Sequence, residues 1–135
     1  MTAGEGKRLI EAFYAAFNAG DRDAYCALLH SDFRAEISGQ GEVSGEMDRD
    51  AFSRMVFERV GQVFPGGLSV AIEEQIAEGD RVASRVVVSG RTKSGRAYRN
   101  PACHFFRVRD GRVLEIVEYF DTALSRAAFE EAASR

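Results

Sequence analysis

The hydrophobic residues of this chain change period near its middle. Residues 5–18 carry Leu9, Ile10, Phe13, Tyr14 and Phe17 at helical spacing, which predicts a helix with one wide apolar face. Asn18 and Gly20 suit the left-handed C-terminal conformation and stop it. Asp21 is a preferred N-cap, so a second helix is expected over 22–29, burying Tyr25, Leu28 and Leu29. The short turn makes the two a helical hairpin. Residues 33–37 (FRAEI) alternate and predict a strand, and 38–47, with three glycines, read as a loop. Asp48 or Asp50 caps a third helix running to about Phe64, with Phe52, Met55, Val56, Val60 and Val63 inward. Pro65, Gly66 and Gly67 end it.

From residue 68 the period is two. Residues 68–78, 81–91, 96–108 and 112–120 predict four strands, separated by the turn signals Gly79-Asp80, Ser94-Gly95 and Asp110-Gly111. Such short connections force antiparallel neighbours. An Ala-rich helix is expected over 123–133. The order ααβαββββα describes one α+β domain over residues 1–135: three helices from the N-terminal region against one face of a curved antiparallel sheet, around one apolar pocket.

The last hairpin holds the most informative side chains. A glycine in its turn often brings a one-residue bulge. With that bulge, Val108 faces Leu114, Phe106 faces Ile116, His104 faces Glu118, and Arg107 meets Glu115 on the other side. Without it, Cys103 faces Glu118. The bulged register pairs opposite charges and gathers His104, Phe106, Val108, Leu114, Ile116, Glu118 and Phe120 on one face. An apolar wall raises a carboxylate's pKa and a neighbouring carboxylate raises a histidine's, so the pair is a candidate for proton transfer near neutral pH. The competing reading is a satisfied cross-strand contact at a pocket mouth or a subunit interface. Arg85, in a valine-rich strand, either orients a ligand oxygen or lays its stem on apolar surface with its head in water. Tyr14 belongs with Phe13 and Phe17, its hydroxyl requiring a partner or facing the pocket. Asp121 and Thr122 are explained as a helix cap, and His30 as a cation at the end of the second helix.

Composition narrows the classes. The chain has 135 residues, a formal net charge of −3 and ten phenylalanines without tryptophan. No basic footprint for nucleic acid exists, and arginines sit beside acids as on a solvated surface. No apolar run reaches membrane length, and MTAGEGKR lacks the apolar core of a secretory signal, so a cytoplasmic location is the default. Cys26 and Cys103 are far apart, with only His30 and His104 to join them, which disfavours zinc; both thiols read as buried and reduced.

The element order, with FYAAFNAGDRDAYCALLHSDF (13–33) and HFFRVRDGRVLEIVEYFDT (104–122), resembles the nuclear-transport-factor-2-like (NTF2-like) superfamily, and more narrowly its SnoaL-like and ketosteroid-isomerase-related branch. The resemblance implies a cone-shaped sheet and a small cyclic, polyketide-like, steroid-like or terpenoid-like ligand, with no metal or organic cofactor. The positions matching the isomerase tyrosine and two aspartates are Phe13, Cys103 and Ile37, so that constellation is not kept. Val117-Glu118-Tyr119-Phe120-Asp121 resembles the last strand of limonene-epoxide-hydrolase-like proteins, with Glu118 at a catalytic acid. Their Arg-x-Asp pattern falls on Arg85-Val86-Val87, which keeps only the arginine. His104 and Glu118 are spaced like the histidine–acid pair of SnoaL-like cyclases.

Glu118 and His104 are thus the expected catalytic pair, with Arg85, Tyr14, Phe17, Phe106, Ile116 and Phe120 binding a small apolar molecule. The alternative is a non-catalytic ligand-binding or dimerisation module. A homodimer is expected through the outward sheet face bearing Phe105, Val117 and Tyr119, with no nucleic-acid or membrane partner.

Overall fold

The computed structural model describes residues 1–41 and 43–134, and its elements follow the change of period. Glu42, in the loop expected over 38–47, lies outside the described residues. Helix α1 (Ala3–Asn18) is capped by Thr2, whose side chain accepts from the Glu5 N–H. Gly20, at φ 67°, turns the chain, and Asp21 caps α2 (Arg22–Ala27) by accepting from the Ala24 N–H. This second helix is shorter than expected. Strand β1 (Leu29–Ile37) begins at once, because alternation already starts at Leu29: Leu29, Phe33, Ala35 and Ile37 are all buried. His30 therefore sits on a strand, not a helix end. Its Nε2 lies 3.3 Å from Asp110, and its Nδ1 accepts from the Asp32 N–H.

The glycine-rich segment is not all loop. Its end forms β2 (Gly45–Asp48), antiparallel to β1. Asp48 caps α3 (Arg49–Arg54), which runs through a π-helical turn (Met55–Arg59) into α4 (Val60–Val63). Strands β3 (Leu68–Glu78), β4 (Arg81–Arg91), β5 (Ala97–Arg109) and β6 (Arg112–Phe120) then meander, and α5 (Thr122–Ala133) ends the described chain.

The sheet order is β2-β1-β6-β5-β4-β3. The expected all-antiparallel sheet is corrected at one seam: β1 and β6 run parallel. A helical crossover leaves β1, and three successive hairpins return the chain beside it in the same direction. Strand β6 is thereby enclosed between β1 and β5. The Ser38 N–H and hydroxyl both donate to the Glu118 carbonyl, at 3.0 and 2.8 Å, and fix the backbone there.

One sheet face carries the core, in which Ile10, Phe33, Phe52, Phe106 and Ile116 are almost fully buried. Asn18 does more than end α1: its side-chain amide exchanges two hydrogen bonds with the Val70 backbone, at 2.7 and 2.9 Å. That clamp to β3 sets Tyr14 and Phe17 over the sheet. Cys26 is half-buried, its Sγ 3.3 Å from the Ser53 Oγ. Cys103 is exposed, contrary to the buried reading, because it shares the outward face with its cross-strand partners Arg85 and Tyr119. No described helix is long and apolar enough to cross a membrane.

Candidate functional site

The hairpin β5–β6 adopts the charge-pairing register. His104 faces Glu118, Phe106 faces Ile116 and Arg107 faces Glu115. The bulge is not in the turn, however. Arg109 pairs with Arg112 across a two-residue turn whose residues Asp110 and Gly111 both have positive φ, 55° and 70°. That is the turn type matching the twist of a tight hairpin. The extra residue is Leu114, between the pairs Val108–Val113 and Arg107–Glu115. The expected Val108–Leu114 pair is thus replaced by Val108–Val113. The Val113 N–H donates to the Leu28 carbonyl, which ties the buried Val113 to the start of β1 and leaves Leu114 half-buried.

This register turns His104 and Glu118 into a cavity of about 110 Å³ between the sheet, α1, and the run from α3 to α4. Tyr14, Phe17, Ile116 and Phe120 line it as expected. Two other expected residues do not. Phe106 is fully buried beneath the wall, edge-on to Phe13 and Tyr14 at centroid distances of 5.6 and 5.9 Å. Arg85 points out of the opposite face, 3.7 Å from Glu74. The reason is parity. Direct antiparallel partners share a face, and Arg85 pairs with outward Cys103 while Ser84 pairs with inward His104.

The polar groups in this wall form a chain. Tyr14 Oη lies 2.7 Å from His104 Nδ1, and His104 Nε2 lies 3.4 Å from Glu118 Oε1. The Ser84 hydroxyl adjoins that of Tyr14 and donates to Gln75 Oε1 at 2.7 Å. Burial lowers the His104 pKa from 6.5 to about 4, so the ring is neutral at pH 7. Sequence reasoning expected the neighbouring carboxylate to raise it, but desolvation of the ring prevails. Burial raises Glu118 from 4.5 to about 7. Burial first, then the Glu118 charge, pushes the Tyr14 phenol well above its ordinary value, so it keeps its proton. A Tyr14 O–H that donates to Nδ1 places the imidazole hydrogen on Nε2, facing the carboxylate. That Nε2 is buried and makes no hydrogen bond of acceptable geometry among the described residues. A neutral donor and a carboxyl poised near neutrality thus face one apolar cavity, an arrangement able to hold an oxygen and move a proton.

Sequence reasoning missed other parts of the wall. Tyr98, Asn100 and Ser125 also line the cavity. Tyr98 and Asn100 precede His104 at even spacing on β5, so the period-two pattern already placed them on its face. Met55, Val56 and Val60, inward as their apolar spacing predicts, line it too; what that spacing did not signal is the π-helical turn that carries Met55 and Val56 and leads into Val60. Among the described residues, no three His, Cys, Asp or Glu side chains converge as metal ligands.

The fold and this wall define a class. The SnoaL-like domain model matches residues 10–116, and the chain belongs to that family. Among solved structures it is similar to Bal32a from a soil-derived mobile gene cassette (23% identity over 93% of this chain and 96% of that one, TM-score 0.83). It is also similar to IdmH from Streptomyces antibioticus, a candidate polyketide cyclase (25%, 93% and 98%, TM-score 0.77). An LEH-like epoxide hydrolase of M. tuberculosis shares the fold (20%, 98% and 94%, TM-score 0.73). No curated protein sequence gives a significant match.

Proposed function

We propose that this chain binds a small apolar carbonyl compound in its cavity and catalyses proton transfer beside the carbonyl, using side chains alone. Glu118 as carboxylate removes a proton from the carbon next to the carbonyl. The oxygen, gaining charge as the enolate forms, accepts a hydrogen bond from His104 Nε2–H, and the proton then returns from Glu118 to carbon. Tyr14 holds the imidazole in the required tautomer. The observation that carries this reading is the unpartnered, buried His104 Nε2 beside Glu118 on an apolar wall. Kinship with a candidate polyketide cyclase fits carbonyl chemistry.

The test is deuterium exchange at the α-carbon of simple ketones in D2O, followed by proton NMR. Exchange above the buffer rate, lost by at least a hundredfold in Glu118→Gln, is expected for a missing general base. Exchange that survives the substitution removes Glu118 as the base; no exchange with any bound ketone makes the chain a binding module instead. We also propose self-association through the outward sheet face, where Phe105 and Tyr119 are 36% and 55% exposed. Light scattering should give a dimer mass, and a monomer at high concentration rejects it.

A further inference from the structure

We propose that the occupant is a one-ring compound with a second oxygen, held at the α5 end of the cavity by Tyr98 and Ser125. The first oxygen, at His104, rests on the proposed function; the second does not.

The wall is apolar between two polar ends. On β5, Tyr98, Asn100, Ala102 and His104 share a face. Asn100, which holds the Tyr98 hydroxyl, and His104 are four residues apart, about 13 Å along the strand. Phe120, paired with Ala102, lies between.

At the α5 end the donors are already oriented. Asn100 is almost fully buried and its amide is fully engaged. Its Oδ1 accepts from the Asp121 N–H at 3.1 Å, and its Nδ2 donates to the Asp121 carbonyl and to Tyr98 Oη, both at 2.9 Å. Tyr98 oxygen is thus already an acceptor, which leaves its hydrogen to donate. Phe64 packs on the Tyr98 ring at 4.8 Å and fixes its direction. The Ser125 hydroxyl, buried on α5, adjoins it and lines the same cavity. An oxygen here meets two adjoining hydroxyls, that of Tyr98 directed by Asn100 and Phe64, so part of the ordering is done before binding.

Volume sets the size. A cavity of about 110 Å³ is somewhat smaller than the roughly 150 Å³ apolar cavity that takes benzene. That scale allows at most one ring between the lining residues Phe17, Ile116 and Phe120 and excludes a fused tricycle.

Three probes test this: acetophenone, 4-hydroxyacetophenone and anthrone, titrated by NMR into the natural chain, Tyr98→Phe and Ser125→Ala. The readout is the affinity ratio of 4-hydroxyacetophenone to acetophenone within each protein, so a general loss of stability cancels. A ratio of about five is expected for the natural chain, one neutral hydrogen bond's worth, falling towards one in Tyr98→Phe. Anthrone should bind at least tenfold more weakly than acetophenone. A ratio that survives both substitutions, anthrone binding as tightly as acetophenone, or no probe binding while other ketones still exchange overturns the inference. A Tyr98-dependent ratio without any ketone exchange supports it and overturns only the proposed proton transfer.

Discussion

Replacing Glu118 by glutamine should unmask a pH dependence of stability that the natural chain hides. Two buried groups face each other with pKa values displaced in opposite directions, each by burial: Glu118 from 4.5 up to about 7, and His104 from 6.5 down to about 4. The folded state binds the Glu118 proton more tightly than the unfolded chain does. That contribution is therefore full below pH 4.5 and is lost as pH rises through 7. The folded state binds the His104 proton less tightly, so its contribution is full above pH 6.5 and is lost as pH falls through 4. At about 1.4 kcal/mol per pH unit, each amounts to about 3 kcal/mol. Between pH 4.5 and 6.5 the slopes oppose and cancel. In Glu118→Gln only the histidine slope remains. Measured as the difference from the natural chain, which cancels groups common to both, the variant should gain about 3 kcal/mol in relative stability between pH 4.5 and 8. His104→Gln should gain a similar amount as pH falls from 6.5 to 4. The assay is urea unfolding at half-unit pH steps, or thermal midpoints, which should move by about 10 °C in a chain of this size. A difference curve for Glu118→Gln that stays flat within 1 kcal/mol would falsify the displaced carboxyl.

The other side chains give sharper contrasts. Tyr14→Phe leaves His104 Nδ1 buried without its donor, which should cost about 1–3 kcal/mol in urea unfolding and slow ketone exchange more than it weakens ketone binding. Arg85→Ala, removing only an exposed ion pair with Glu74, should change stability by less than about 0.5 kcal/mol and leave exchange untouched. Asn100→Ala removes three hydrogen bonds that join β5 to the start of α5 and to Tyr98. It should cost about 2–4 kcal/mol and raise amide exchange first in α5.

Much of the fold was legible because the period of apolar residues is local information. β3 and β4 begin and end where alternation does, at Leu68–Glu78 and Arg81–Arg91. Charge complementarity carried the β5–β6 register, since only one offset puts Arg107 against Glu115 and His104 against Glu118. The bulge was misplaced by a few residues because a glycine turn and a bulge at Leu114 give the same offset farther along the hairpin. The parallel seam between β1 and β6 had no local signature at all: it depends on where a long crossover delivers the chain. Arg85 shows a different failure. Alternation places its strand, but which face it takes depends on the β4–β5 register, which pairs it with outward Cys103 and not with inward His104. His104's displacement was misjudged in sign because the sequence shows the neighbouring carboxyl but not how completely the ring is removed from water. Tyr98 and Asn100 were within reach, two and one alternations beyond Ala102 on the strand face already singled out. Ser125 was not, since nothing local says that α5 closes the cavity.

The central claim is that a neutral imidazole and a carboxyl poised near neutrality share the apolar wall. The most direct test is an NMR titration with ¹⁵N-labelled histidine and ¹³C-carboxyl-labelled glutamate, assigned through His104→Gln and Glu118→Gln. His104 should stay neutral, with its hydrogen on Nε2, down to about pH 5, while the Glu118 carboxyl titrates near pH 7. A His104 ring charged at pH 7 beside a Glu118 carboxyl that titrates near 4.5 would contradict it.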